Sequence, residues 1–213
     1  MGILKDSEYA LKKALLRLHW DRPLPSARDL DHTALLITDP QSIYMSDPDQ
    51  KKVLASKLMR LQGIFERAPR PVFVAYNIDE NGDDPSFING FTPGPSAILV
   101  PKTGDSAIYR CCKDTNDPLA SRFHQSRLHH ILVCGANFSG CVYATVLDLA
   151  GYGFATYILQ DACVDGDWRE EIPKDEQQRI IDRATIDVRW AGARITTAAD
   201  ICSSLCLPGM GGP

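Results

Sequence analysis

A chain of 213 residues, 44% hydrophobic and 23% charged, is long enough to bury one sizeable core with a sheet covered on both faces, so a single domain is expected. The net charge of −4 offers no basic field for phosphates, and no Lys/Arg-rich run interleaved with aromatics occurs, which argues against nucleic acid as a partner. No apolar stretch reaches the roughly 18 residues that span a bilayer, and the charged opening "MGILKDSEYALKKALLRLHW" lacks the apolar centre of a secretory signal; the reading is a cytoplasmic protein with no membrane partner.

In chain order, Leu11, Leu15 and Leu18 recur at helical spacing over residues 6–19, with Lys12, Lys13 and Arg17 on the opposite face, as in an amphipathic helix. "WDRPLPSARDLD" follows with two prolines and mixed charge, as in an extended connection wrapped over the domain. Residues 1–30 therefore read as an N-terminal helix and wrapping segment, 31–207 as the main domain, and the closing "PGMGGP", 208–213, as a flexible tail.

Within the main domain, short apolar runs alternate with helical patterns. The runs are "TALLIT" (33–38), "PVFVAY" (71–76), "SAILVP" (96–101), "ILVCG" (131–135), "ATYILQ" (155–160) and "ARIT" (193–196). Helices are expected near 48–67, opened by Asp47-Pro48, and near 117–127, 141–150, 171–188 and 198–206. Six nearly continuous hydrophobic strands with intervening helices predict an α/β fold of three layers, α/β/α, around a six-stranded, mainly parallel sheet. Residues 77–95, "NIDENGDDPSFINGFTPGP", are too polar and too rich in Gly and Pro to continue a helix, and a long loop of this kind is usually functional.

Open α/β sheets bind ligands beyond the carboxyl ends of their strands. Asp39 directly follows the first strand, Lys102 ends the third, and Cys141 follows the fourth after a tight turn, so three reactive groups meet at one edge. Singly, Cys141 is a core thiol, Asp39 a turn residue and Lys102 a solvated lysine; jointly they suggest chemistry. A helix N-terminus and a neighbouring ammonium both favour thiolate, so the expectation is a Cys141 thiol of lowered pKa, with Asp39 as proton carrier. Backbone N–H groups in the turn 137–141 would hold an oxyanion, each worth roughly 3–4 kcal/mol in comparable enzymes.

The seven cysteines carry no metal-ligand spacing and are expected to be mostly reduced and buried. There is no G-x-S-x-G elbow, P-loop or G-x-G-x-x-G fingerprint, so no cofactor is implied.

These residues resemble the isochorismatase-like cysteine hydrolases over about residues 31–202. "TALLITDPQSIY" is similar to the family's first motif, with Asp39, Gln41 and Tyr44 in place; "VPKTGDSAIY" to the second, with Lys102 ahead of Ser106-Ala107; and "VCGANFSGCVYATVLDLAGYGFATYILQDACVD" to the third, with Gly135, Cys141, Thr145 and Asp161. The resemblance implies a triad of Cys141, Asp39 and Lys102, a cis peptide between Ala136 and Asn137, and oxyanion donors at Asn137 and Cys141. Family members form dimers or larger rings, which implies a homo-oligomer; the N-terminal helix could supply the interface or pack on its own domain.

The chain departs from the family in "PQSIY", where "MQNDF" is frequent, and in Phe138, where Thr is common. Nicotinamidase-like members hold a metal with an Asp and two His, yet residues 40–101 contain no His, so no metal is expected. True isochorismatases typically carry Gly at the position of Cys141. The favoured reading is thus a hydrolase that cleaves a C–N bond of a small amide, carbamoyl or ureido substrate through a thioester. Gln41, Tyr44, Tyr76, Asn77, Phe87, Ile108, Phe138 and Trp168 are the expected substrate neighbours. Two alternatives stand beside it: a vinyl-ether hydrolase with Asp39 as general acid, and a non-catalytic binding protein whose pocket Phe138 obstructs.

Overall fold

The computed structural model describes residues 22–78, 86–108, 119–165 and 171–207. The expected N-terminal helix, the C-terminal tail, Cys111, Cys112 and Trp168 lie outside the described residues.

Six strands form one sheet: β1 (Thr33–Thr38), β2 (Val72–Asn77), β3 (Ile98–Lys102), β4 (His130–Ala136), β5 (Ala155–Val164) and β6 (Arg194–Thr196). Their order is β3-β2-β1-β4-β5-β6 and every pairing is parallel, so the sheet is all-parallel where the sequence predicted mainly parallel. β1 is buried along its whole length, which explains why its residues form a continuous apolar run without alternation. The chain reverses direction of travel across the sheet after β3, and the crevice between β1 and β4 is therefore the topological switch point.

Helices α1 (Pro48–Arg67), α2 (Leu119–Gln125), α3 (Tyr143–Gly151), α4 (Lys174–Trp190) and α5 (Ala198–Ser204) cover both faces. One core holds Leu54, Leu58 and Leu61 of α1 with Ile201 of α5 against Leu35 and Ile37; the other holds Phe123, Val146 and Val188 of α2, α3 and α4 against Leu36 and Val133. Asp47 caps α1 by accepting from the N–H groups of Asp49 (2.8 Å) and Gln50 (3.3 Å), and Pro48 begins the helix, as the sequence predicts.

The wrapping segment is extended only in part. Its residues 22–25 cross the β5–β6 end: Arg194 donates to Arg22 O at 2.7 Å, Tyr157 to Pro23 O at 3.2 Å, and Ser204 to Pro25 O. Ala27–His32 instead forms a 3-10 helix, closed by a reciprocal cap between Ser26 and Asp29. The two prolines suggested a continuous connection, and the S-x-x-D capping pattern outweighs them.

The polar stretch after β2 is a loop in its described second half, as expected, and it is tied down. Ser42 N–H donates to Ser86 O (2.7 Å) and Ile88 N–H to Pro40 O (2.9 Å), so the loop folds back on the residues after β1. Ile88 and Phe91 anchor it in the core.

Candidate active site

β1 delivers Asp39 one residue past its end. The Asp39 N–H still donates to Ala75 O (2.8 Å), while its own carbonyl accepts from Gln41 N–H (2.7 Å), and its φ of 45° makes the turn. Lys102, the last residue of β3, reaches across β2 to place Nζ 2.8 Å from Asp39 Oδ2, with both side chains 0% exposed. The ammonium also donates to Gly104 O and to Asp105 O (3.2 Å), so its three protons have three acceptors. A buried lysine charge is tolerable on those terms.

Asp39 is less well served. Apart from the ion contact, neither carboxylate oxygen receives a directed hydrogen bond among the described residues. The Cys141 thiol and the Asn77 N–H face it closely enough to act on its charge, short of that geometry. Burial pushes the Asp39 carboxyl above the usual carboxylate range, against the pull of Lys102.

Gly135 brings β4 up against β1 just behind this pair. Its φ is +120°, and a Cβ there would stand 2.0 Å from Thr38 O, so only glycine permits the approach. The Ala136–Asn137 bond is cis, as the family resemblance implied. A π-helical turn, Phe138–Val142, then carries Cys141 into α3. Gly140 and Val142 both donate to Asn137 O at 3.1 Å, one on each side of Cys141. Beyond the turn, Asp165 clamps it from the end of β5: Oδ1 accepts from Ser139 N–H (2.9 Å) and Ser139 Oγ (2.7 Å). Thr145 of α3 accepts from Ala107 N–H (3.0 Å), tying the segment after β3 to the same helix.

The thiol's protonation state corrects the sequence expectation. Burial first, then the Asp39 carboxylate, push the Cys141 thiol up to about 12, outweighing Lys102. The Cys141 thiol, facing the Asp39 carboxyl, is therefore held above its ordinary value and not below it. A helix terminus favours thiolate, but desolvation at this depth is the larger effect.

The structure sorts the expected substrate neighbours into three groups. Gln41 and Asn77 are engaged by protein: Gln41 Nε2 donates to Asn77 O (2.9 Å) and its Oε1 accepts from Asn77 N–H (2.8 Å), knitting the segment after β1 to the end of β2. Ile108 (0% exposed) and Phe138 (6%) lie in the core on the α3 side, packed among apolar residues. Tyr44, Tyr76 and Phe87 are half-buried at the edge, with Phe87 set edge-on to Tyr76 and to Phe91. Sequence reasoning missed Asp165 as the turn's clamp, although it closes the motif run "QDACVD". Asp161 in that same run accepts from Ala198 N–H (2.9 Å), so it serves the start of α5. Among the described residues no group of three or more His, Cys, Asp or Glu is placed to hold a metal. The five described cysteines are free, with Cys206 exposed and Cys163 partly so.

A parallel sheet covered on both faces, with a buried acid, lysine and thiol gathered at its carboxyl edge, makes an α/β protein with a candidate active site at that edge. The family model of the isochorismatase domain matches residues 33–200, and the chain belongs to the isochorismatase family. No curated protein matches it. Among solved structures it is similar to an isochorismatase from Pseudomonas putida KT2440, at 23% identity over 85% of this chain and 94% of that one, with a TM-score of 0.66. A cysteine hydrolase from Pseudomonas syringae pv. phaseolicola 1448A is 16% identical over 87% and 98% of the two chains, with a TM-score of 0.69. N-carbamoylsarcosine amidase from Thermoplasma acidophilum is 16% identical over 78% and 95%, with a TM-score of 0.58.

Proposed function

We propose that the protein is a cysteine hydrolase that cleaves a C–N bond in a small amide, carbamoyl or ureido compound. The observation that carries this is the Cys141 thiol facing the buried, incompletely bonded Asp39 carboxylate, itself held 2.8 Å from Lys102. A carboxylate with empty acceptor positions and a raised proton affinity is suited to receive the thiol proton at the moment of attack. Cys141 Sγ forms a bond to the carbonyl carbon while its proton passes to Asp39. The C–N bond then breaks, Asp39 returns that proton to the nitrogen, and ammonia or an amine leaves. Water, giving a proton to Asp39, hydrolyses the thioester and restores the thiol. Lys102 keeps Asp39 oriented and offsets its charge. The similarity to an amidase and a cysteine hydrolase supports the same chemistry.

The test is ammonia or amine release across a panel of small amides, carbamoyl and ureido compounds. Wild type is expected to turn over at least one, and Cys141→Ser to lose about a thousandfold or more of that rate, since loss of a nucleophile removes the covalent route.

One observation favours a second reading. The raised Asp39 pKa also suits a general acid, as a vinyl-ether hydrolase needs. That chemistry predicts turnover of isochorismate that survives Cys141→Ala and disappears in Asp39→Ala; the reverse pattern rules it out.

A further inference from the structure

Tyr44 ends a short 3-10 turn, Ser42–Tyr44, on the segment that leaves Asp39. Its hydroxyl oxygen accepts a hydrogen bond from Asn77 Nδ2. The direction of that bond is fixed by the rest of the amide: Asn77 Oδ1 accepts from Gly104 N–H at 3.2 Å, so the other end of the side chain must donate. Gly104 is in turn held through its carbonyl by the Lys102 ammonium. A relay therefore runs from Lys102 through Gly104 and Asn77 to the phenol, and it leaves the phenol one role. With its oxygen already accepting, Tyr44 has a single proton to give, and no described residue receives it. That relay starts from the Lys102 ammonium paired with Asp39 and so ties the phenol to the acid–lysine pair, and burial pushes the phenol's pKa up to about 12, so the proton stays in place at neutral pH.

We infer that Tyr44 is a specificity-determining residue whose hydroxyl, aimed by Asn77, donates a hydrogen bond to a neutral acceptor on the substrate, a carbonyl oxygen or ring nitrogen close to the scissile carbonyl. A carboxylate is the poorer fit, because the charges of Asp39 and Asp105 already act against a negative charge at the phenol and the Lys102 ammonium is committed to Asp39, Gly104 and Asp105. The inference rests on the amidohydrolase reading and adds the kind of substrate it would select.

The experiment uses three primary amides of nearly one shape: benzamide, with no second acceptor, and picolinamide and nicotinamide, with a ring nitrogen at two positions. Ammonia release is measured for wild type and Tyr44→Phe, and equilibrium binding is measured by calorimetry with the Cys141→Ala and the Cys141→Ala/Tyr44→Phe proteins. A neutral hydrogen bond predicts a preference of about three- to tenfold for at least one pyridine amide over benzamide, lost in Tyr44→Phe with benzamide itself little changed. An equal loss on all three amides, or a preference that Tyr44→Phe retains, overturns the inference. Selective binding that needs Tyr44, with wild type silent on these amides and on the whole amide, carbamoyl and ureido panel, upholds the inference and sinks the amidohydrolase reading. The absence of any preference in binding overturns the inference whatever the turnover.

Discussion

Gly135 is the residue at which the fold and the site are least separable. An added methyl would meet the backbone of Thr38 at 2.0 Å, in a conformation side chains rarely adopt, so Gly135→Ala is expected to cost about 3 kcal/mol, read from the urea midpoint. Lys102 poses the complementary case of a buried charge. Its removal leaves Asp39 without its ion partner, and Lys102→Ala is expected to lose about 3–5 kcal/mol at neutral pH. The Asp39 pKa is already raised, and without Lys102 it rises further; a raised folded value means stability is kept at low pH and lost as pH rises through that value. The Lys102→Ala deficit should therefore shrink toward pH 4 and be largest above neutrality; a deficit independent of pH would contradict the buried pairing. The places of Asp39, Lys102 and Cys141 were legible in the sequence because each follows or ends a strand at the same edge. The state of the thiol was not, since it depends on how deeply the turn is buried by residues far away in the chain.

At the level of elements, two acidic side chains close to helix starts do different work. Asp47 caps α1, and Asp47→Ala is expected to cost about 1 kcal/mol, read from the urea midpoint. Asp165 fastens the π-helical turn that carries Cys141, taking both Ser139 donors on one oxygen. Asp165→Ala is expected to cost about 1–3 kcal/mol and to lower kcat more than tenfold, with Asp165→Asn recovering part of kcat because its amide oxygen still accepts. Equal kcat in wild type and Asp165→Ala would remove the clamp from the account. The start of α1 could be read directly from Asp47-Pro48, and each strand within a few residues. The π-helical turn could not be read: an i to i+5 closure has no residue signature, and it exists here because Asn137 O gathers two donors while Asp165, in another strand, holds Ser139.

For the whole molecule, the alternation of strand and helix carried the three-layer parallel architecture, whereas the strand order, with β1 and β4 central, is set by packing between distant segments. One global property follows from burial of so many weak acids. Cys141 and Tyr44 are pushed up to about 12, and Cys134, Cys163 and Cys202 are raised as well, while unfolded thiols titrate near 8.5 and tyrosines near 10. The folded state thus holds protons that the unfolded chain releases. Stability is full below about pH 8.5 and falls as pH climbs toward 12, by up to about 1.4 kcal/mol per pH unit for each such group. Urea midpoints that stay constant from pH 8 to 10.5 would contradict this. The most direct test of the central claim, a covalent role for Cys141 served by Asp39, is product release over the amide, carbamoyl and ureido panel by wild type, Cys141→Ser and Asp39→Asn. The account predicts that wild type turns over at least one compound and that both variants, natively folded, lose nearly all of that rate. Turnover undiminished in Cys141→Ser, or silence of the folded wild type on the whole panel, would contradict it.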